Sequence, residues 1–255
     1  MRGNDQQAYD RGTSLFSPDG RIYQVEYARE AVSRGAPSVG VRTEEGVVLA
    51  AQAQASSELM ESESIEKIHK LDDHIGGASA GHVADARQLI DFARQMAQSN
   101  HLRYGEAIGV ETLTKYITDH IQENTQMGGT RPYGAALLIG GIEGGVEGEK
   151  GTPRLFSADP SGTPHEWKAT IIGGGREEIQ GVLEDGWSDD LSLDEGLNLV
   201  LRSLREHEEE IEADSLSVVS ITIDDGYETY ETEEIAELLG ALEDEADDEA
   251  DDSEE

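Results

Sequence analysis

Gly12-Thr13, near the start of the 255-residue chain, is the first pair that could do chemistry. A chain cut before a threonine exposes a hydroxyl nucleophile with its own amine as base. A second possibility is Gly77-Ala78-Ser79-Ala80-Gly81, which spells G-x-S-x-G, the turn on which serine hydrolases present their nucleophile. That chemistry also needs a later acid and then a histidine. His207 can be fitted to the role, although "REHEEEIE" around it reads as a solvated helix face. Gly173-Gly174-Gly175 lacks the third spaced glycine of a dinucleotide turn, because position 178 is Glu. "GVEGEKGT" places Glu149 where a phosphate loop needs glycine before Lys150. Cysteine is absent, which removes thiol nucleophiles, disulfides and zinc-thiolate sites. The closest histidines, His69 and His74, match no standard ligand spacing, so neither a metal nor a cofactor is expected.

The elements that must carry these residues alternate along the chain. Ser17-Pro18-Asp19 reads as a helix start, with Pro in the first turn and Asp on the dipole. Ile22, Val25, Ala28 and Val32 give that helix one apolar stripe, and Gly35 and Pro37 end it. Strands are expected at 38–42 and 47–51, at 67–71 and 74–79, and at 133–142, a continuous apolar run fit for a central strand. Two helices separate the last of these, marked by Val83, Ala86, Ile90, Ala93 and Ala97, then by Val110, Leu113, Ile117 and Ile121. Beyond a Gly-rich connection, strands are expected at 154–158 and 166–172 and helices at 175–187 and 192–211, the second opening on a Ser192/Glu195 capping box. A hairpin across Asp224-Asp225-Gly226 and a short helix at 232–241 complete the pattern. Hairpin-joined strands with helices in separate pairs predict an α+β fold, antiparallel sheets covered by helices.

Charge narrows the function classes. The net charge is −36, and residues 243–255, "EDEADDEADDSEE", hold ten acidic residues and no basic one. Without them the body still carries 45 acidic against 19 basic residues. Phosphate would be repelled, so nucleic acid is not expected as a partner. Such a body repels itself in dilute buffer. At molar salt the Debye length is about 3 Å and the repulsion is screened, which fits a salt-rich cytosol. No apolar run follows Met1 and none approaches a membrane span, so the expected location is cytoplasmic, with no membrane partner. The expected organisation is a mobile leader over 1–16, one domain over 17–241 and a disordered acidic tail over 242–255.

Residues 9–32, "YDRGTSLFSPDGRIYQVEYAREAV", closely resemble the N-terminal signature of proteasome α subunits, the archaeal kind in particular. The resemblance continues through "SIEKIHKLDD", "SAGHVADARQLIDFAR", "MGGTRPYGAALLIGGI", "RLFSADPSGT" and "KATIIGGGREE", and covers roughly 8–239. It implies a four-layer αββα sandwich and a seven-membered ring stacked on a ring of β subunits. In the catalytic β relatives the nucleophilic threonine begins the first strand. The matching position here is Ala36, the partner acid falls near Gln52, and only the lysine is retained, as Lys67. The resemblance therefore implies no peptidase activity for this chain, and Thr13 becomes a leader residue. It implies a gate instead, with Tyr9, Asp10 and Arg11 in the leader, Pro18 in the reverse turn that positions it, and Tyr27 packing near them when the pore is open. It also implies pockets between neighbouring copies that take the C-terminal tails of hexameric AAA ATPase activators. Lys67 would pair with the tail carboxylate, near Glu26, Gly35 and Gly81, with His82 a departure beside it. Unfolded protein is the implied cargo. A stand-alone serine hydrolase using Ser79 and an acidic scaffold without a protease role are the alternatives.

Overall fold

A computed structural model of the chain describes residues 16–54, 57, 59–61, 64–127, 129–144, 151–208 and 211–252, with only the backbone of 243–252. Helix α1 (Tyr23–Ser33) leads into the hairpin β1 (Ser38–Arg42) and β2 (Gly46–Gln52). A second hairpin, β3 (Ile68–Asp72) and β4 (Ile75–Gly81), is followed by α2 (Val83–Tyr104) and α3 (Val110–Gln126). Strands β5 (Ala135–Glu143), β6 (Thr152–Ala158), β7 (Pro164–Glu166) and β8 (Ala169–Ile172) precede α4 (Arg176–Gly186) and α5 (Leu193–His207). The hairpin β9 (Leu216–Thr222) and β10 (Gly226–Thr229) ends in α6 (Thr232–Asp252).

These strands form two five-stranded antiparallel sheets, in the orders β10-β9-β2-β1-β8 and β3-β4-β5-β6-β7. The period of two along each strand sorts its side chains into layers. Val47 and Leu49 of β2 meet Leu138 of β5 between the sheets, while Val48 and Ala50 face away. That outer face packs on Ile179 and Leu183 of α4, Leu197 and Leu201 of α5, and Ile235 of α6. Leu137 and Ile139 of β5 pack outward on Leu89 and Ile90 of α2 and Leu113 and Ile117 of α3. The result is the expected αββα order of layers. Each fully buried Leu or Ile contributes on the order of 2 kcal/mol.

Three expectations are corrected. Ser17-Pro18-Asp19 does not start the helix. The Gly20 amide donates to the Ser17 carbonyl at 2.8 Å, Gly20 sits at φ 76°, and α1 begins only at Tyr23. Pro18 presets the turn, and the glycine accepts the left-handed backbone. The run 166–172 is not one strand. It divides at Trp167-Lys168 into β7 in one sheet and β8 in the other. The Trp167 amide still donates to Leu155 of β6, whereas the Lys168 carbonyl accepts from Arg42 of β1, so the chain changes sheet within two residues. The last helix does not stop at 241 but continues through the acidic run to Asp252. Ala and Glu are strong helix formers there, and no Gly or Pro follows Gly240 to end it.

Candidate functional site

Lys67 stands one residue before β3, and its backbone is tied to β4: the Ser79 amide and hydroxyl both reach the Lys67 carbonyl, at 2.9 and 3.3 Å. Its side chain crosses to the end of the other sheet and is 8% exposed. There Nζ donates to the carbonyls of Ala36 at 2.7 Å, Gln52 at 2.9 Å and Pro37 at 3.0 Å. An ammonium has three donors, and all three are used. Burial pushes its pKa down to about 7, and the three carbonyl acceptors favour the charged form against that. Lys67 is thus a buried cation held by backbone carbonyls.

Ala36 offers a methyl group where the resemblance implied a hydroxyl in the catalytic relatives. It follows α1 through Arg34 and Gly35, so its amine is in a peptide bond. Gln52 ends β2, and its side-chain amide donates to the Glu208 carboxylate after α5. Position 36 therefore offers neither a hydroxyl nor a free amine, and position 52 offers no ionisable acid.

Lys67, Gly35 and Gly81 meet in one cleft of about 720 Å³. A Cβ on Gly35 would lie 2.7 Å from the Gly81 amide, and one on Gly81 would lie 2.3 Å from the Gly134 carbonyl. Gly81 also holds φ 102°, a backbone closed to other residues. The cleft is lined further by Arg34, Arg87 and Arg94 and by Glu66 and Asp91. Among the described lining residues four cations stand against two carboxylates, in a chain of net charge −36, with Arg34 also paired to Glu30 at 3.0 Å. Burial and Arg94 lower the His69 pKa there, against Glu66 and Asp91. Sequence reasoning missed the arginines. Arg87, Asp91 and Arg94 follow helical spacing one step along from the apolar stripe Ala86, Ile90 and Ala93, and that offset was the available signal.

Beside the cleft, Asp85 and Arg131 form an ion pair behind the Gly81-His82 corner. Asp85, in the first turn of α2, is 5% exposed. It accepts both terminal nitrogens of Arg131, at 2.5 and 2.7 Å, and the Gly134 amide at 2.7 Å. Burial pushes its carboxyl up, but these bonds outweigh burial and hold it below the ordinary range. The Gly134 carbonyl in turn accepts the His82 amide at 2.8 Å, which fixes the Gly81-His82 corner.

Glu26 is not brought to this cleft. It lines a separate depression with Phe16, Gly20, Arg21 and Arg29. Its carboxylate accepts Arg29 at 2.9 Å, and Arg29 is held in turn by Asp159 at 2.7 Å. Pro18 is exposed in the turn beside it, and Tyr27 is 49% exposed, off the buried stripe of Val25, Ala28 and Val32. Tyr9, Asp10, Arg11 and Thr13 lie outside the described residues.

Ser79 does not sit on a strand-to-helix elbow. It lies inside β4, paired with Leu137, is 5% exposed, and its hydroxyl bonds the Lys67 carbonyl. His207 bonds Glu178 at 2.8 Å at the start of α4 instead. The serine hydrolase alternative has no geometry behind it.

The family model described as "Proteasome subunit" matches residues 32–223, and the model of the N-terminal signature of α-type proteasome subunits matches 9–31. The chain is 64% identical over 255 residues to the alpha 2 proteasome subunit of Haloferax volcanii, covering 100% of this chain and 99% of that protein. It is 58% identical over 240 residues to the alpha proteasome subunit of Haloquadratum walsbyi, covering 93% and 91%. It is 56% identical over 249 residues to the alpha proteasome subunit of Halobacterium salinarum, covering 96% of each.

Proposed function

The chain belongs to the proteasome α-subunit family, and from that membership we propose that it is a non-catalytic member of the core-particle α ring, gating entry to the chamber and docking activator ATPases. The observation that carries the non-catalytic part is the Lys67 ammonium, spent on the carbonyls of Ala36, Pro37 and Gln52 where a threonine site would need it beside a hydroxyl. Catalysis is then left to β subunits stacked on the ring, in the cytoplasm.

The gate is assigned to Tyr9, Asp10 and Arg11 of the leader, with Pro18 and Tyr27 as its support. A polar leader has little core to hold it, so a few contacts tip its position. The turn at Ser17–Gly20 gives the leader a fixed root, and the half-exposed Tyr27 offers a ring for it to pack on. The docking pocket is assigned to the Lys67 cleft with Gly35 and Gly81. Its positive excess suits a peptide carboxylate. Glu26 lines the other depression, so it enters the same pocket only from a neighbouring copy. One heterologous face repeated under rotation closes into a ring without free ends, and seven copies are the expected number.

Electron microscopy of the purified chain, alone and with β subunits, tests the assignment. Sevenfold rings that stack on β rings are expected. A monodisperse monomer that ignores β subunits at high salt overturns it.

A further inference from the structure

Asp159 stands where three elements meet. It follows β6 directly, and Pro160 to Thr163 return the chain to β7. One carboxylate oxygen, Oδ1, holds this turn. It accepts the Ser161 hydroxyl at 2.5 Å and the Ser161 and Thr163 amides at 3.2 and 3.4 Å. The other oxygen, Oδ2, accepts Nε and a terminal nitrogen of Arg29 on α1, at 2.9 and 2.7 Å, across 130 residues of sequence. Burial pushes the Asp159 carboxyl up, but the bonds from Ser161 and Arg29 outweigh it and hold the group below the ordinary carboxylate range.

The turn is seated on α3. The Gly162 amide donates to the Asp159 carbonyl at 2.9 Å, and Gly162 itself holds φ 77°. A Cβ there would lie 2.6 Å from the Thr118 carbonyl and 2.7 Å from the Gln122 amide. Only glycine lets the turn come this close to the helix.

Helix α1 has need of such a reference. Its eleven residues bury only Val25, Ala28 and Val32. Apolar burial is not directional, so a narrow stripe resists lifting more than it resists sliding or rolling. A guanidinium–carboxylate bond is directional and among the stronger polar contacts. Arg29 therefore gives α1 a direction, and Asp159 ties that direction to α3 through the turn.

We propose that Asp159 is a positioning residue that sets the place of α1 against α3 through Arg29 and the Gly162 turn, and with it the root of the leader. The last clause rests on the gate reading above, but the fastening of α1 does not.

The test uses assembled α–β particles and two readouts, hydrogen exchange over residues 23–33 and the rate of entry of a short fluorogenic peptide. Asp159→Asn keeps an oxygen for the turn and loses the charge that holds Arg29. It is expected to speed exchange over 23–33 about tenfold and to raise peptide entry. Arg29→Gln leaves Asp159 and its turn intact and is expected to do the same, so it carries the test should Asp159→Asn not assemble. The double variant is expected to match either single one, because both remove the same bond. Gly162→Ala pushes the turn off α3. It is expected to alter entry in the parent particle but not in the Asp159→Asn particle, where the route to α1 is already cut. A turn with a merely structural role gives the same Gly162→Ala effect in both, and that result overturns the proposal. Exchange over 23–33 unchanged in Asp159→Asn and in Arg29→Gln also overturns it. Faster exchange with unaltered entry supports the fastening and contradicts the gate reading, so the two fail separately.

Discussion

The Nζ of Lys67 lies 2.7 Å from the carbonyl oxygen of Ala36, so the lysine grips the backbone at the position that the resemblance matches to the nucleophile of the β relatives. The bond ties the start of β1 to the start of β3 in the other sheet.

Restoring the hydroxyl alone does not restore chemistry. Ala36→Thr is expected to leave the chain inactive toward fluorogenic peptides, because α1 still precedes it, no free amine forms, and Gln52 cannot ionise. Measurable turnover by purified Ala36→Thr rings without β subunits contradicts this.

Docking at Lys67 should depend on pH. The free ammonium titrates near pH 7, and a bound carboxylate favours the charged form, so binding takes up a proton above that pH. Affinity for an activator tail peptide is expected to fall by up to about tenfold per unit as pH rises past 7. Burial lowers the His69 pKa, away from this range. Fluorescence anisotropy from pH 6.5 to 8.5 reads the effect, and a flat profile excludes Lys67 as the titrating contact.

Asp85→Asn keeps the shape but loses the charge that binds Arg131. It is expected to cost about 2 kcal/mol, the scale of a bond to a charged group. The carboxyl is held below its ordinary pKa in the folded chain, so its contribution is present above the carboxylate range and is lost as pH falls through the folded value. Denaturation at pH 7 should therefore separate parent and variant, and the gap should close in acid. Equal midpoints at pH 7 contradict the clamp.

Gly81→Ala places a methyl group 2.3 Å from the Gly134 carbonyl at φ 102°. The cost expected is about 3 kcal/mol, with the cleft corner displaced. A thermal midpoint within a degree of the parent shows that the corner is not confined as described.

The strands and the paired helices were legible because each buries one face and leaves that period in the sequence. Tyr133 to Ile142 reads as a central strand, and β5 is indeed the middle strand of its sheet, buried along nearly its whole length. What was not legible depended on partners far along the chain. The Ser17–Gly20 turn is not such a case: Pro18-Asp19-Gly20 is itself a turn sequence, closed locally with Gly20 at φ 76°. Nothing local divides 166–172, because the change of sheet is set by bonds to Leu155 and Arg42. The same holds at the site. Lys67 was singled out by resemblance, but its burial follows from three carbonyls 15 to 31 residues away. The positive character of the cleft comes from arginines on α2 that read as ordinary exposed helix residues.

The central claim is that this chain controls passage and does not cut. Deleting residues 2–12 in particles reconstituted with β subunits tests it most directly, by the rate at which a short fluorogenic peptide is hydrolysed. The account predicts a several-fold faster rate for the truncated particle, with no hydrolysis by either form of the α chain alone. An unaltered rate in the particle, or hydrolysis by the isolated α ring, contradicts it.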